Sequence, residues 1–258
     1  MGAPLATARK VLVIPARRNS TRLPDKMLLR ETGKTLVEHT YLAACRSKLP
    51  DLVLIATDDE AIAREARRFG AQVVMTSPDC TSGTDRVAEA VKSCPRAEII
   101  VNVQGDEPDA DGSAVDSLLE LMQRNPAARM ATLATPLRDR EMLEDPACVK
   151  VTFDGAGKAL YFSRSVIPHP RQWREELLTA NPPAFHLHLG VYAYRRDLLM
   201  QITQWPAGRI EQIEVLEQLR VLENGESIYV QLTDRSTRGI DTPADYAAFV
   251  ARQKKAAA

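Results

Sequence analysis

Four basic side chains crowd one stretch near the start of the chain, just after an apolar run. They are Arg17, Arg18, Arg22 and Lys26. Such a cluster suits a polyphosphate, because the cations offset its charge and each guanidinium can grip two oxygens at once. Residues 15–26, which we call the basic loop, contain no glycine, so the loop is neither the dinucleotide-binding fingerprint nor the Walker P-loop. The competing interpretation is a basic turn that water solvates.

Two aspartates further along the chain could hold a cation against such a phosphate. Asp106 follows an apolar run within the sequence VNVQGDEP, and a carboxylate directly beyond a buried strand is placed to bind a hard cation. The alternative interpretation of Asp106 is a carboxylate that caps a helix or lies in a loop. Asp241 stands before Thr242 and Pro243, and proline at an early helical position also favours a helix cap there. Metal binding and capping therefore both stay open for Asp241.

Two histidines, His186 and His188, alternate with Leu187, which places both rings on one face of a strand. With no third histidine or carboxylate nearby, we expect hydrogen bonds to substrate or backbone rather than a metal pair. The four cysteines have no CxxC spacing, which is typical of reduced, packed thiols. The sequence also lacks the Gly-x-Ser-x-Gly, His-Glu-x-x-His and Cys/His patterns, so covalent hydrolysis is poorly supported.

Alternating elements in the first half would position these groups. The strand-like apolar runs are residues 10–15, 51–57, 72–76 and 99–103. The helical stretches between them are residues 35–47, 58–69 and 85–92. Asp58 is expected to cap the second helix, and Gly70 to end it in a left-handed conformation. This rhythm predicts an α/β fold with a doubly wound, mostly parallel sheet, whose ligands bind beyond the carboxyl ends of the strands.

The second half is less regular and contains no flexible linker. Its strand-like segments are residues 130–135, 149–153, 159–162, 188–194 and 227–232. A turn at 154–157 predicts a hairpin inserted on one side of the sheet. Residues 210–223 predict one long helix and 242–254 a terminal helix. The long helix would present an apolar stripe formed by Ile210, Ile213, Leu216, Leu219 and Leu222.

Composition excludes several classes of protein. The chain has 258 residues, of which 45% are hydrophobic and 26% charged, so it is neither disordered nor fibrous. Lys and Arg together number 34, as do Asp and Glu, which argues against a general nucleic-acid binder. No apolar run approaches the ~20 residues of a membrane helix, and the start lacks a secretory signal. We therefore expect a cytoplasmic protein without nucleic-acid or membrane partners.

Several motifs together resemble the CMP-sugar synthetase family, and within it the branch that activates 3-deoxy-manno-octulosonate (Kdo). The run VNVQGDEP is specific, whereas the basic-loop motif alone would fit several nucleotidyltransferases. The likeness spans nearly the whole chain. The matching segments are residues 14–17, 20–24 with Lys26, 56–58, 82–86, 101–108, 161–164, 188–192, 216–220 and 239–243.

The resemblance implies a Mg²⁺-dependent, homodimeric enzyme with a Rossmann-like nucleotidyltransferase fold. It would transfer CMP from CTP to Kdo and release pyrophosphate, for lipopolysaccharide assembly. Such a transfer needs positioning and charge neutralisation more than covalent help. One nucleotidyltransferase domain would span residues 1–258. Within it, a substrate and dimerisation subregion at about 130–225 would include the hairpin as a dimerisation arm.

The resemblance also implies roles for individual residues. Arg17, Lys26, Asp106 and Asp241 would be catalytic, and we expect the two aspartates to converge on Mg²⁺. The residues that bind the nucleotide would be Ala16, Arg17, Arg22, Lys26, Ser82, Arg86 and Gln104. The residues that face the sugar acid would be Arg164, His188, Tyr192, Glu211 and Gln212.

Three alternatives to Kdo activation stay open at this point. The first is CMP transfer to another nonulosonate or to an amino-Kdo analogue. The second is a nucleotide-binding relative without catalytic activity, although the retention of both Asp106 and Asp241 speaks against it. The third is a dinucleotide oxidoreductase, which the absence of a Gly-x-Gly-x-x-Gly after the first apolar run opposes.

Overall fold

Strands and helices alternate along the first half of the chain, as the sequence predicts. The computed structural model describes residues 3–18, 20, 22–235 and 239–257. Its strands are β1 (Lys10–Ala16), β2 (Leu52–Thr57), β3 (Gln72–Met75), β4 (Ile99–Asn102), β5 (Met130–Pro136), β6 (Lys150–Phe153), β7 (Ala159–Ser163), β8 (His186–Arg195) and β9 (Ile228–Leu232). Its helices are α1 (Leu36–Ala44), α2 (Glu60–Arg68), α3 (Gly83–Val91), α4 (Gly112–Arg124), α5 (Arg140–Glu144), α6 (Glu176–Thr179), α7 (Arg196–Ile202), α8 (Arg209–Glu214), α9 (Gln218–Glu223) and α10 (Pro243–Ala257).

The contacts divide the chain into two compact units, and the first of them contains a parallel sheet. This unit is Met1–Asp116 with Thr237–Ala258. β1 lies between β2 and β4, and β3 pairs with the other edge of β2, all in parallel. The central residues of β1 have no solvent exposure, because a strand covered on both faces must be apolar throughout. The carboxyl ends of β1 and β4, which precede the basic loop and Asp106, are therefore neighbours.

Local side chains set the ends of the helices in this unit. The prediction that Asp58 caps α2 is wrong, because the cap is Asp59, whose carboxylate accepts two amide hydrogen bonds from the first turn. Asp58 instead pairs with Arg86 on α3. Gly70 has a φ of 83°, which confirms the predicted left-handed end of α2 and suits a residue without Cβ.

Helix α4 is an element for which the sequence interpretation made no prediction. Its apolar residues Val115, Leu118, Leu119 and Met122 are at most 1% exposed. They recur with the spacing that marks one face of a helix. That periodicity was available in the sequence and is sufficient to identify the helix.

The C-terminal helix α10 packs on residues from the start of the chain. Tyr246 and Phe249 on α10 form a buried cluster with Ile240, Leu23 and Leu36. Leu23 belongs to the basic loop, and Leu36 begins α1. The same cluster that holds α10 therefore also supports the middle of the basic loop.

The second unit, Ser117–Ser236, contains a mixed sheet. β5 pairs in parallel with β9 and antiparallel with β8. β6 and β7 form an antiparallel hairpin, as predicted, and β6 also pairs with β8. Together with the parallel sheet of the first unit, this confirms the predicted fold class, a mixed α/β protein with mostly parallel strands.

The single long helix predicted over residues 210–223 is wrong. The segment forms α8 and α9, and between them Val215 has φ 54° and ψ 52°. A residue with a Cβ is disfavoured in this left-handed conformation by about 1–2 kcal/mol. Arg164 holds the break, because its guanidinium donates hydrogen bonds to the carbonyls of Glu214 at 2.7 Å and Val215 at 3.3 Å. The helix therefore ends for a reason that lies fifty residues away in the sequence.

The break also divides the predicted apolar stripe. Leu216 and Leu219 are buried, but Ile213 is 71% exposed and Val215 is 74% exposed. Two large apolar side chains thus stand in solvent within one short segment. The predicted substrate and dimerisation subregion, about 130–225, falls inside this second unit, and its roles stay predictions. Across the residues described, no helix has both the length and the apolar character needed to cross a membrane.

Candidate active site

Lys26 is a buried lysine whose ammonium lies between two carboxylates from distant parts of the chain. Its Nζ donates hydrogen bonds to Oδ2 of Asp106 at 2.5 Å and to Oδ1 of Asp241 at 3.1 Å. A third bond, of 3.0 Å, goes to the carbonyl of Ile240. The structure thus brings the two aspartates together, and a cation of the protein itself offsets their repulsion.

Main-chain contacts fix the position of Asp106. Its carbonyl accepts a hydrogen bond of 2.9 Å from the amide of Ile240. The preceding Gly105 lies so close to β1 that a Cβ there would stand 2.7 Å from the carbonyl oxygen of Pro15. Thr40 on α1 also donates to the carbonyl of Gly105 at 2.7 Å. Only glycine permits this approach, so Gly105 is required for Asp106 to reach Lys26.

The capping alternative for Asp241 is resolved by its neighbours. Thr242 and Asp245 form a reciprocal cap at the start of α10, in which the Thr242 hydroxyl accepts from the Asp245 amide at 3.1 Å. The Asp245 carboxylate accepts in return from the Thr242 amide at 2.9 Å. The carboxylate of Asp241 instead faces Lys26 and Arg22, whose Nη2 lies 3.1 Å away.

The cations of the basic loop differ in what they contact. Lys26 and Arg22 face the aspartate pair, whereas Arg18 donates to Asp25 at 2.7 Å. This bond and the charge of Asp25 raise the pKa of Arg18. Arg17 is exposed. Three of the four predicted cations therefore already have carboxylate partners, and Arg17 is open to an incoming anion. Asn19 and Thr21 of the loop motif lie outside the described residues.

The predicted nucleotide-binding residues lie around the end of β1 and the start of α3. Ala16 is buried at the end of β1. The side-chain oxygen of Gln104 would lie 3.3 Å from a Cβ placed on Gly83, and the Pro15 ring would lie 3.6 Å from it. Gln104 is therefore packed against the first turn of α3, and the dipole at the amino end of a helix favours a polar or anionic ligand.

Ser82 and Arg86, the other two predicted nucleotide-binding residues, have partners within the protein. Ser82 caps α3 and shares a reciprocal capping box with Asp85. Arg86 is 4% exposed, and its guanidinium donates to the Thr76 hydroxyl at 2.6 Å and to Asp58 at 3.1 Å. Both side chains therefore hold the start of α3 in place through hydrogen bonds within the protein.

The second unit holds the residues predicted to face a sugar acid, and His188 and Tyr192 are together there. Their ring centroids are 5.4 Å apart. Nε2 of His188 lies 2.9 Å from the hydroxyl of Thr132, and the Phe162 ring packs edge-on at 5.0 Å. Burial lowers the pKa of His188 to about 3. His188 is therefore a neutral group near pH 7.

Arg164 and Glu211 are engaged in hydrogen bonds within the second unit. The Arg164 guanidinium also donates to the carbonyl of Pro146 at 2.9 Å, in addition to the bonds that hold the break at Val215. Arg220 donates to both carboxylate oxygens of Glu211, at 2.6 and 2.7 Å. Hydrogen bonds from this arginine lower the pKa of Glu211 although burial opposes the shift. Gln212 is exposed and donates to the carbonyl of Ala207 at 3.0 Å.

Comparison with known proteins identifies the family. Residues 11–228 match the cytidylyltransferase family. A relative from Rhodopirellula baltica, named 3-deoxy-manno-octulosonate cytidylyltransferase, is 46% identical over 94% of this chain and 97% of its own. This chain belongs to the 3-deoxy-manno-octulosonate cytidylyltransferase family. A family member from Chlamydia trachomatis is 43% identical over 93% of this chain and 92% of its own.

A solved structure supports the same assignment for this cytidylyltransferase. It is that of CMP:2-keto-3-deoxy-manno-octonic acid synthetase complexed with CTP, which is 38% identical with a TM-score of 0.88. The match covers 96% of this chain and 99% of that chain. A cytidylyltransferase from Leptospira borgpetersenii, at 18% identity and a TM-score of 0.62, shares the fold. The chain is accordingly an enzyme of the nucleotidyltransferase class, which confirms the predicted class.

The aspartate pair of this cytidylyltransferase fits a magnesium ion that arrives with a nucleotide. No group of three or more His, Cys, Asp or Glu side chains in the described part of the chain could form a metal cage. Mg²⁺ does not need one, since it commonly takes one or two carboxylates and completes its shell with phosphate oxygens and water. Asp106 and Asp241 could supply those carboxylates, because their side chains are still 24% and 44% exposed.

Sequence reasoning about this cytidylyltransferase missed Glu107 and Asn102. Burial, and to a smaller extent the charge of Asp106, raise the pKa of Glu107 to about 8. Its Oε2 and both amide atoms of Asn102 are buried with no hydrogen-bond partner among the described residues. Both residues lie within the run VNVQGDEP, which also carries Asp106. A polar residue inside a buried strand, as in the sequence IIVN, is the signal that could have drawn attention to Asn102.

Proposed function

We propose that this enzyme transfers CMP from CTP to Kdo, giving CMP-Kdo and pyrophosphate for lipopolysaccharide assembly. The anomeric hydroxyl of the sugar attacks the α-phosphorus of CTP. The bond from that phosphorus to the β-phosphate oxygen breaks, pyrophosphate leaves, and the hydroxyl proton passes to water. The observation that carries the proposal is the Lys26 ammonium between Asp106 and Asp241, in a family whose named members are Kdo cytidylyltransferases.

Lys26, Arg22 and Arg17 would bind the triphosphate. In the free protein, Lys26 and Arg22 neutralise the aspartates. A triphosphate offers the same cations stronger, charge-assisted partners, and phosphate oxygens accept from both lysine and arginine. Arg17 is exposed at the end of β1 and would add a third cation. Catalysis by such residues consists of positioning and electrostatic stabilisation.

Asp106 and Asp241 would hold Mg²⁺. When bound, this ion neutralises negative charge on the phosphate oxygens. The contribution of the chain is the fixed spacing of the two carboxylates, which Gly105 and the cap at Thr242 set from either side. Asp241 is free for this role because it does not cap α10.

Gln104, Ser82 and Arg86 would recognise the cytidine beside Ala16. Gln104 has an amide that both donates and accepts, which suits the N3 and exocyclic amine of cytosine. Ser82 and Arg86 support the site through α3. Ser82 caps the first turn of this helix, and Arg86 ties the helix to the Thr76 hydroxyl. We therefore expect CTP to be preferred over the other nucleoside triphosphates.

His188, Tyr192 and Gln212 would contact the sugar acid. Arg164 and Glu211 would act through the segment they hold, because their charged groups are bound to the chain around α8 and α9. A neutral His188 cannot form an ion pair with the sugar carboxylate. Its part in binding must be that of a hydrogen-bonding group.

A pyrophosphate-release assay tests this function. The four nucleoside triphosphates are each combined with Kdo, other nonulosonates and an amino-Kdo analogue, with and without Mg²⁺. We expect turnover with CTP and Kdo in the presence of Mg²⁺ to exceed every other combination. Faster turnover with another acceptor would show that this sugar, and not Kdo, is the preferred substrate. Equal turnover with ATP or GTP would overturn the cytidylyl assignment.

We also propose that the enzyme is a cytoplasmic homodimer. The exposed apolar side chains Ile213, Val215 and Leu160, on the α8–α9 segment and on β7, support a protein partner in the second unit. The four cysteines form no disulfide, which suits a reducing compartment. Sedimentation at micromolar concentration should give a dimer, and the double variant Ile213→Ser and Val215→Ser should shift it toward monomer. A wild-type monomer would overturn the dimer, and recovery outside the cytoplasmic fraction would overturn the location.

A further inference from the structure

Thr132 is a buried polar residue that faces an irregular stretch of β8. Its side chain has no solvent exposure. Thr132 pairs with Tyr192 and the next residue, Leu133, pairs with Leu189, so two residues of β8 are left over in a bulge. Bulges redirect side chains and often lie beside functional sites. The residue redirected toward Thr132 here is His188.

The hydrogen bonds of Thr132 determine which ring nitrogen of His188 carries the proton. The Thr132 hydroxyl oxygen lies 2.9 Å from the carbonyl oxygen of Val191 and 3.2 Å from that of Leu189. It also lies 2.9 Å from Nε2 of His188. A hydroxyl has one proton and carbonyls only accept, so the contacts to the carbonyls and to His188 can both be hydrogen bonds only if that proton goes to a carbonyl. The hydroxyl oxygen is then left to accept a hydrogen bond from His188, whose Nε2 must bear a hydrogen.

The other ring nitrogen, Nδ1, consequently has a free lone pair. A neutral imidazole carries one hydrogen, so protonation at Nε2 makes Nδ1 an acceptor. No described residue forms a hydrogen bond with Nδ1. The ring is fixed in place by Phe162, packed edge-on at 79°, and by Tyr192 at 45°. These contacts oppose a rotation of the ring that would exchange its two nitrogens.

We propose that Thr132 is a positioning residue that locks His188 as its Nε2–H tautomer, so that Nδ1 accepts a hydrogen bond from a hydroxyl of the substrate. The inference rests on the proposed function, because it takes the sugar acid as the ligand of His188. It specifies the chemistry of that contact: His188 recognises a hydroxyl group and does not neutralise the sugar carboxylate.

The tautomer can be measured directly on the substrate-free protein. Long-range ¹H–¹⁵N correlation spectra distinguish Nε2–H from Nδ1–H imidazoles, and the chain has only four histidines. The His188 signals are those that disappear in His188→Gln. We expect wild-type His188 to be the Nε2–H form and Thr132→Ser, which keeps the hydroxyl, to retain it. Thr132→Val removes the hydroxyl at nearly constant volume and should give a mixture of tautomers.

Steady-state kinetics test the consequence for substrate binding. Thr132→Val should raise KM for Kdo about three- to tenfold, the effect of one neutral hydrogen bond, and leave KM for CTP unchanged. Thr132→Ser is the matched control, and its KM for Kdo should stay near that of the wild type. His188→Gln should raise KM for Kdo at least as much as Thr132→Val.

Several results would overturn the proposal. Wild-type His188 protonated on Nδ1 would do so, and this measurement needs no variant to fold. Equal increases of KM in Thr132→Val and Thr132→Ser would indicate a packing role alone. An unchanged KM for Kdo in His188→Gln would show that His188 does not contact the substrate. If the wild type instead shows no turnover with CTP and Kdo, the proposed function fails, whereas the role of Thr132 in fixing the tautomer is judged by the spectra.

Discussion

The two polar centres of this enzyme differ in charge: one consists of ion pairs and the other of uncharged hydrogen-bonding groups. In the first unit, Lys26 forms ion pairs with two aspartates that remain partly exposed. In the second unit, His188 is uncharged and its Nε2 is held by a hydroxyl with no exposure. Ion pairs can be exchanged when a more highly charged ligand arrives, whereas a buried hydrogen-bond pattern is fixed before binding. The first arrangement fits a polyphosphate with its metal, and the second fits a neutral part of a sugar.

The largest expected effect comes from removing a carboxylate of the charged centre. Asp106→Asn should lower turnover by on the order of 10²–10³, the size of one preorganised electrostatic contact. Asp241→Asn should do the same without loss of stability, because Thr242 and not Asp241 caps α10. Pyrophosphate release and urea unfolding measure the two effects.

A control for these variants lies three residues after Asp106. Asp109 is paired with Arg252 at 2.7 Å on the surface, and Asp109→Asn should leave turnover and its dependence on Mg²⁺ unchanged. If Asp241→Asn keeps normal activity and metal dependence, the two-carboxylate site is wrong.

The next effect separates the two functions of Lys26. Lys26→Met should raise KM for CTP by about ten- to a hundredfold, since a charge-assisted hydrogen bond contributes about 1.5–3 kcal/mol. It should also destabilise the metal-free protein, because Asp106 and Asp241 would face each other without a cation. Mg²⁺ should therefore raise the melting temperature of the variant more than that of the wild type.

The exposed lysine Lys92 provides the matched control for that experiment. Lys92→Met should alter neither KM for CTP nor the response of the melting temperature to Mg²⁺. An equal response in Lys26→Met and the wild type would show that Lys26 does not compete with the metal for the aspartates.

The neutral centre should respond to pH rather than to metal. The pKa of His188 is lowered by burial to about 3, from an ordinary 6.5, so below pH 6.5 the unfolded chain takes up a proton that the folded protein does not. The free energy of unfolding should then fall as the pH drops from 6.5 toward 3, by about 1 kcal/mol between about pH 6 and 5 from this residue. Urea unfolding at several pH values should find a smaller slope in His188→Gln. The exposed His169 is the control, and a slope that His169→Gln reduces equally would contradict the assignment.

The smallest effect concerns the break that separates α8 from α9. Val215→Gly should raise the free energy of unfolding by about 0.5 kcal/mol, because the relief of a left-handed β-branched residue exceeds the added freedom of the unfolded chain. Ile213→Gly is the control in the neighbouring helix and should lower stability by about 1 kcal/mol. A loss of stability in Val215→Gly would mean that the valine side chain has contacts worth more than the strain.

The sequence was most informative where short-range patterns decide the structure. Continuous apolar runs predicted β1, β2 and β4, because only apolar residues suit a strand covered on both faces. The rule that ligands bind beyond the carboxyl ends of such strands located the basic loop and Asp106 correctly at neighbouring ends. The capping box of Thr242 and Asp245 is also a local pattern and could have been predicted from the sequence, although only Asp241 was considered as the cap.

The features that could not be predicted depend on residues far apart in the chain. The helical period of residues 210–223 is real, but Arg164 binds the carbonyls at its centre and ends the helix. Nothing near Lys26 in the sequence indicates that its ammonium lies between Asp106 and Asp241. The same holds for Thr132, whose importance depends on a bulge in β8. Local patterns therefore predicted the elements, and tertiary contacts determined the partners of the site residues.

The contacts of Lys26 also have a consequence for biosynthesis. The cluster needs a lysine from the segment between β1 and α1, an aspartate from the loop after β4 and an aspartate just before α10. While the chain is being translated, the sheet with Lys26 and Asp106 emerges from the ribosome long before Asp241. The charged centre stays incomplete until the segment beyond residue 239 has been added and Tyr246 and Phe249 have packed against Leu23 and Leu36. If Asp241 acts as we propose, a chain that ends before this residue should have no activity.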